Sequence, residues 1–473
     1  MKTYQDLEKV LGTGSQKELF TFISAAVADH KGSAEYKMAA AAEAYYRKRN
    51  LTMEKYRKVL YNTLGQAVPD LFSPNYKLTH GFFRRFVIQQ TQYVLSNGIA
   101  FKKEETEGKL GRDFDNRITQ LAKKAMVGGV SFGFWNHDHL EVFGFADTAK
   151  DPGFAPLPDE STGSLRAGIR YWTVSDNVGR WTLYEEDGYT EFIKKKDEDM
   201  EILREKRPYK QIVKSTAAGG DEEVIGENYH SFPIIPMYAN DVRESELVGV
   251  RASIDCYDFI KSGMANNVDE ASAFYWTLKN TGGMADDEEL MKFVERMRVL
   301  KAQVLEDGVE ATAHTLDVPV EANEKLLDRL RTDMYEDFML LDTEKAVKGD
   351  ITATGIRLAY QPQDDKCGDF EYQIRDFIDS LFTLIGIEDE PTFKWNRIAN
   401  QTEEVQMIMT ELPVIGEDAA LDLLPNITPE MAEQIRKTMA AEESDRFNEP
   451  DDNPDDDNPE GSKRVKGFAG GEE

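Results

Sequence analysis

Apolar positions recur every three or four residues through most of the first 130 residues, a spacing that predicts a run of amphipathic helices. The clearest case is NYKLTHGFFRRFVIQQTQYVLSNGIAF, residues 75–101, where Leu78, Phe82, Phe83, Phe86, Val87, Tyr93 and Val94 share one broad face. Thr79 is placed to cap its start and Gly98 to end it, and so apolar a face has to be buried. Upstream, GTGSQKELF (residues 12–20) lacks the spacing of a phosphate loop. Ser15 reads instead as a helix cap, with Glu18 closing a capping box.

The pattern changes near residue 125. AMVGGVSFGFWNHDHLEVFGF is glycine-punctuated, aromatic and β-like, while GIRYWTV, RWTLYEEDGYTEFI and YKQIVKST alternate as strands, with Asp187-Gly188 as a hairpin turn. Helical spacing returns over 244–275. An insert follows, with TGGMADDEEL as turn and helix start and AQVLED as a strand, then a further helix over 320–341. Residues 342–355, DTEKAVKGDITATG, are polar and flexible in composition, and CGDFEYQIRDFIDSLFTLIGI (367–387) is again an amphipathic helix. Pro319, Gly349, Gly355 and Gly386 mark boundaries. Short helices are expected from 391 to 439, one with Thr428 as cap and Pro429 in the first helical position. Beyond residue 440 the chain is acidic and proline-punctuated, a disordered tail by composition. Helices first and strands after them indicate an α+β fold rather than a doubly wound sheet.

With 473 residues the chain can hold two to four modules at about 150 residues each. Hydrophobic residues at 40% and charged residues at 30% are a globular composition. No apolar run approaches the ~18 residues that span a bilayer, and MKTYQDLEKVLGTGSQKELF lacks a signal-peptide centre, so a cytosolic product without a membrane partner is expected. Cys256 and Cys367 stand far apart with no CxxC, which argues against a disulfide framework or zinc ribbon; both are expected as buried thiols. The net charge of -30 opposes tight, sequence-reading binding of nucleic acid. It does not exclude a surface that lets DNA pass without gripping it, since an acidic wall repels phosphate.

Candidate chemistry is sparse. In WNHDHLEV, His137 and His139 would share one face of a strand with Asp138 on the other, and no further His or Cys cluster lies nearby, so an exposed turn is favoured over a metal site. None of the HExxH, GxSxG, Walker A or kinase signatures occurs, and no cofactor is implied. With 87 acidic residues, any Asp/Glu pair is uninformative; a metal-dependent hydrolase with a carboxylate/His site stands as the rival reading. Lys345 and Lys348, in the polar 342–355 segment, can meet phosphate as mobile point charges or be merely solvated.

Taken in order, AYYRKRNLTMEKYRK, SPNYKLTHGFFRRFVIQQTQYVLSNGIAF, FAPLPDESTGSLRAGIRYW, FPIIPMYANDVRESELVGVRASIDCYDFIKSGMANNVDE, GDITATGIRLAYQPQDDKC and FKWNRIANQTEEVQMIMTELPVIGEDAALDLLPNITPEMAEQI resemble the portal proteins of tailed double-stranded DNA bacteriophages. The type is that of long-tailed phages of Gram-positive hosts. The likeness runs over residues 40–440 and rests on order and spacing; the loop-to-helix entry departs from the family's form in reading Gly-Asp-Ile-Thr-Ala-Thr-Gly.

The resemblance implies a ring of about twelve copies, closed by head-to-tail interfaces, at one capsid vertex. It implies a portal fold with a wing (1–240, strand-rich over 125–240), a stem helix (241–275), a small α/β clip (276–319) and a second stem helix (320–341). A tunnel loop (342–355), a tunnel helix returning to the wing (356–390), a helical crown (391–440) and the disordered acidic tail (441–473) would follow. Lys345, Lys348, Asp350, Thr352 and Thr354 would face DNA in the tunnel loop. Asp286, Asp287, Glu288, Glu289, Arg296 and Arg298 of the clip would meet the terminase large subunit and later the head-tail adaptor protein. The remaining implied partners are double-stranded DNA, bound without sequence preference, and the major capsid and scaffolding proteins. The protein would be a non-enzymatic channel, assembled in the host bacterial cytoplasm and resident in the virion.

Overall fold

The computed structural model describes residues 2–61, 65–70, 73–148, 151–175, 178–196, 198–214, 223–271, 275–279, 310–314, 319–347, 353–396, 401–424, 427, 431–432 and 434–439. It divides into two units, Met1–Arg397 and Ile398–Glu473. No helix among the described residues is long and apolar enough to cross a membrane.

Helices α1 (Tyr4–Thr13), α2 (Gln16–Gly32), α3 (Ala34–Tyr46) and α4 (Leu51–Lys55) open the first unit. Ser15 caps α2 as expected, its Oγ accepting from Glu18 N at 3.4 Å, but the expected capping box does not close: Ser15 N donates to Thr13 Oγ1 at 3.3 Å and not to the Glu18 side chain. A short hairpin, β1 (Val59–Tyr61) with β2 (Ala67–Pro69), leads to α5 (Phe82–Leu95). There Phe82, Phe83, Phe86, Val87, Tyr93 and Val94 are buried, as their spacing predicts. Each large apolar side chain removed from water contributes about 1.5–3 kcal/mol. Gly98, at φ +78°, closes the segment with its N–H on Leu95 O at 3.2 Å. Its start differs from the expectation. The helix begins after Gly81 without a side-chain cap, Thr79 donates its hydroxyl to Lys48 O at 3.3 Å, and Leu78 is 38% exposed.

After β3 (Ile99–Phe101), α6 (Glu104–Leu110) and α7 (Phe114–Gly128) comes the main sheet. Its strands are β4 (Val130–Asn136), β5 (His139–Gly144), β6 (Gly153–Pro158), β7 (Leu165–Ser175), β8 (Val178–Glu185), β9 (Gly188–Lys195) and β10 (Glu201–Arg207), with β13 (Ile234–Tyr238) at the far edge. The order is β10-β9-β8-β7-β6-β5-β4-β13, antiparallel throughout save the parallel bridge between Gly144 of β5 and Gly153 of β6. The β8–β9 turn is Glu186-Asp187, with Gly188 opposite Glu185, so the glycine lies one place later than a central turn position. A separate hairpin pairs β11 (Lys210–Lys214) with β12 (Glu223–Glu227).

Two clusters of buried side chains hold this unit. The larger joins α3, α5, α7 and the β4–β5 end of the sheet to a long helix, Ala353–Ile385. The smaller packs Leu7, Phe22 and Ile23 of α1 and α2 on Leu157, Ile169, Leu183 and Phe192. Gly133 of β4 sits beneath Phe377 of the long helix, in a space that admits no side chain.

α8 runs Arg251–Ala271, shorter at both ends than the 244–275 expected. The reason lies in α7, whose terminal carbonyls need donors. Glu246 N reaches Met126 O at 3.0 Å, Ser245 Oγ reaches Val127 O at 2.7 Å and Ala239 N reaches Gly129 O at 3.0 Å. Residues 239–246 are thereby committed to capping α7. Tyr275 belongs to a strand, Tyr275–Lys279, paired with Glu310–His314. The helix expected over 320–341 is Val320–Asp337, and that expected from Cys367 begins at Ala353, passing through Pro362. TGGMADDEEL and AQVLED lie outside the described residues, as do Thr428, Pro429 and the acidic tail.

Residues 391–396 belong to the first unit, since Pro391–Phe393 pairs with β3. In the second unit Gln401–Ile415 and Glu417–Leu423 meet at Gly416 (φ +80°), with Ile408, Ala420 and Ala432 buried.

Candidate functional site

Four described elements come from the stretch singled out by the resemblance: α8, Val320–Asp337, the short helix Thr343–Val347 and the long helix Ala353–Ile385. α8 and Val320–Asp337 pack on each other. α8 also carries a strap. Backbone N–H groups of Tyr76, Leu78 and His80 bond Asn266 Oδ1 (2.7 Å), Ser262 Oγ (3.0 Å) and Asp258 Oδ1 (3.0 Å). Alternate residues of an extended chain lie about 6.6 Å apart and helix residues four apart about 6 Å, so the two ladders match over three rungs. This pairing explains why the helix of the 75–101 stretch begins only after Gly81.

Val320–Asp337 buries Leu327, Met334 and Tyr335. Tyr335 and Phe338 close on Phe86, with ring centroids 5.0 and 4.9 Å away. Met339 then takes φ 57°, a left-handed position that turns the chain, and Leu340 N returns to Tyr335 O at 2.9 Å.

The chain that follows is clamped. Leu341 O accepts from Gln89 Nε2 at 2.9 Å, and Leu341 N donates to Gln363 Oε1 at 3.0 Å. Lys366 Nζ bonds Phe338 O at 3.1 Å and Glu246 Oε2 at 2.6 Å. Asp342 is buried; its Oδ1 accepts from Arg331 Nη2 at 2.9 Å and from Glu344 N at 3.2 Å, capping the short helix. The second terminal nitrogen of Arg331, Nη1, pairs with Glu344. Residues 338–344 are thus gripped by α5, the long helix and Val320–Asp337 together.

The long helix reads as one buried face, Tyr360, Gln363, Cys367, Phe370, Ile374, Phe377 and Leu381, at steps of three and four. Tyr93 bonds Asp364 and lies 5.8 Å from Tyr360 ring to ring, while Trp395 Nε1 donates to Glu371 Oε2 at 2.6 Å. Pro362 lacks an N–H, yet the surrounding packing holds the helix through it.

Of the residues named for the tunnel loop, Lys345 stands on the short helix, exposed, with its ammonium on the Thr332 hydroxyl. Thr354 lies in the first turn of the long helix rather than in a loop. Lys348, Asp350 and Thr352 lie outside the described residues, as do Asp286, Asp287, Glu288, Glu289, Arg296 and Arg298. Sequence reasoning missed the clamp of Arg331, Asp342, Gln363 and Lys366 and the strap acceptor Asp258, because each partner pair is distant in the chain.

His137, at φ 58°, and Asp138 form the exposed β4–β5 turn. His139 Nδ1 lies 2.9 Å from Asp138 Oδ1 and its Nε2 3.9 Å from Glu141 Oε1. Among the described residues no three His, Cys, Asp or Glu side chains gather to hold a metal. Cys367 is buried, but Cys256 is exposed, against the expectation that both are covered.

Residues 27–445 match the family described as "Phage portal protein, SPP1 Gp6-like". A portal protein of Clostridium phage phiCD119 is 22% identical over 403 residues, covering 79% of this chain and 87% of the relative. A portal protein of Bacillus phage SPP1 is 23% identical over 385 residues, covering 76% and 74%. Among solved structures, a chain of the neck of a native GTA particle, computed with C12 symmetry, aligns with TM-score 0.42 at 13% identity, over 73% of this chain and 90% of that one.

Proposed function

The chain belongs to the phage portal protein family of the SPP1 Gp6-like type, and from that premise we propose that its copies close into a ring of about twelve at one capsid vertex, forming the channel through which double-stranded DNA is packaged and ejected. The observation that carries the ring is the surface of the paired helices. Phe259 and Val268 of α8 and Leu326 of Val320–Asp337 are 51%, 56% and 47% exposed, and Tyr76 and Leu78 of the strap leave further apolar surface beside them. The described residues of a single copy leave these side chains open, and a head-to-tail neighbour would cover them.

On this reading, residues 1–240 and 356–390 form the wing with its tunnel helix, α8 and Val320–Asp337 the stem, and 276–319 the clip. The clip meets the terminase large subunit, which supplies the ATPase activity, and later the head-tail adaptor; capsid and scaffolding proteins meet the ring's outside. The tunnel loop falls within 342–355, a reading supported by the clamp at Asp342 and Glu344 before it and by the long helix from Ala353 after it. Lys345 and Lys348 make passing phosphate contacts in a channel whose other charge is mainly acidic. The chain itself catalyses nothing; assembly occurs in the bacterial cytoplasm and the ring stays in the virion.

Negative-stain electron microscopy of the purified protein, with mass determination on the same sample, tests the reading. Rings with a central hole and a mass near twelve chains are expected. A protein that stays monomeric even with scaffolding and capsid proteins present would overturn it.

A further inference from the structure

One groove breaks the acidic character of the surface. It lies between α2 and the corner where β7 and β9 end and β8 begins, has a volume of about 280 Å³, and is lined by Val27, Lys31, Trp181, Lys194, Lys195 and Lys196 among others. Its floor is aromatic. Trp181 and Gly179 of β8 stand opposite Phe192 and Lys194 of β9, so all four share one face of the sheet. A Cβ on Gly179 would stand 2.4 Å from the Trp181 ring, which means that the indole lies flat across a position only glycine can fill. The ring is half-buried, with Val27 and Tyr171 continuing the apolar wall.

The charges around this floor are unevenly compensated. Lys31 pairs with Asp147 at 2.9 Å and lies 4.7 Å from the centre of the Tyr171 ring; Lys195 pairs with Glu198 at 3.3 Å. Lys194 and Lys196 are exposed and have no carboxylate partner among the described residues. In a chain of net charge -30, two such lysines line one groove with an indole.

We propose that this groove docks an acidic peptide segment of a partner protein, with one large apolar side chain laid on Trp181 and its flanking carboxylates on Lys194 and Lys196. Charge complementarity and size choose this occupant. About 280 Å³ fits one large side chain and falls below the usual ~300–1,000 Å³ of small-molecule pockets. The cations are lysines, compact and strongly hydrated, not the arginine forks that grip phosphate bidentately. The chain's overall charge repels a long polyanion, whereas a short acidic segment sits within the ~8 Å over which two lysines dominate at physiological salt.

The test uses the full-length protein and a fluorescein-labelled peptide, GDEFDEG, read by fluorescence anisotropy. Binding is expected, weakening at least about tenfold with K194E/K196E, and likewise when the peptide's phenylalanine becomes alanine. Equal affinity of wild type and variant, or no binding up to millimolar peptide, overturns the proposal. So does a 20-base-pair duplex or oligo-dT that binds more tightly than the peptide and is lost in the same variant, because the groove is then a nucleic-acid site. Should K194E/K196E fail to fold, the peptide with benzoylphenylalanine in place of phenylalanine is photocrosslinked to wild type: adducts on Trp181 or Val27 support the proposal and adducts confined elsewhere overturn it.

Discussion

His80 Nδ1 lies 2.7 Å from Oδ1 of Asp258, a carboxylate with no solvent exposure whose other oxygen accepts from the Asn50 side chain. His80 N reaches the same Oδ1 at 3.0 Å, so one buried acid ties both α4's start and the 75–81 strap to α8. Replacing Asp258 with alanine removes the shared acceptor of three donors, of which Asn50 Nδ2 keeps a long contact to His80 O at 3.4 Å. The expected cost is about 3 kcal/mol, seen as a lower denaturation midpoint, with Asp258→Asn costing less because it keeps acceptor capacity and shape. An unchanged midpoint for Asp258→Ala would mean that the strap does not depend on this carboxylate.

Gly133 and Phe377 make a second long-range fit. A Cβ on Gly133 would stand 2.4 Å from Phe377 Cζ, and Phe377 is 1% exposed with nowhere to retreat. Gly133→Ala is therefore expected to destabilise the protein by about 1–3 kcal/mol. Combining it with Phe377→Leu should cost less than the sum of the two single changes, a non-additivity that a double-mutant cycle in urea measures.

Such pairs mark what the sequence could and could not convey. The buried faces of α5 and of the long helix were legible, because Phe82 to Val94 and Phe370 to Leu381 repeat at helical spacing whatever they touch. The bounds were not. Leu78 looks helical by spacing and Thr79 looks like its cap, but Leu78 and His80 are drawn into the strap by Ser262 and Asp258, more than 170 residues away, and Thr79 turns to Lys48 O. Pro362 looks like a break, but packing around Tyr360 and Gln363 carries the helix through it. The helix-like pattern from residue 244 is overridden because 245 and 246 serve the open end of α7. In the candidate site, Lys345 was visible as a cation in a polar stretch, whereas its seat on Thr332 and the Arg331–Asp342 pair require the fold.

Stability should fall with acid through His30. Its Nε2 lies 3.0 Å from Phe145 O, so Nε2 carries the proton and donates, while the buried Nδ1 has no partner for a second proton. Burial pushes its pKa down to about 4, against the raising pull of the Phe145 carbonyl and Asp147 and alongside the lowering by Lys31. The unfolded chain takes up that proton near pH 6.5, so this contribution is intact above about 6.5 and is lost as pH falls toward 4, about 3 kcal/mol in all. His30→Gln can keep a donor to Phe145 without titrating. Its denaturation midpoint should vary less than wild type between pH 7 and 4, and parallel curves would remove His30 as the cause.

The two thiols should differ sharply in reactivity. Burial pushes Cys367 up to about 12, leaving almost no thiolate, whereas Cys256 is exposed on α8. Maleimide treatment of the native protein followed by peptide mass spectrometry should find the label on Cys256 alone, with Cys367 modified only in denaturant. Because Cys256 lies on one of the paired helices, protection of Cys256 in an assembled particle relative to free subunits would locate the subunit contact there.

Lys345 offers the most direct test of the channel reading. It is exposed and, among the described residues, bonds only a hydroxyl, so its loss should change stability by less than about 0.5 kcal/mol. A defect in Lys345→Ala/Lys348→Ala particles would then report lost charge and not lost fold. Reduced packaging or retention of DNA is expected from the double variant, with arginine at both positions restoring it because the positive charge, not the lysine shape, meets a passing phosphate. Packaged DNA measured per particle after nuclease treatment decides the matter. Wild-type DNA content and retention in the alanine variant would remove these two lysines from the DNA path, while leaving the family membership untouched.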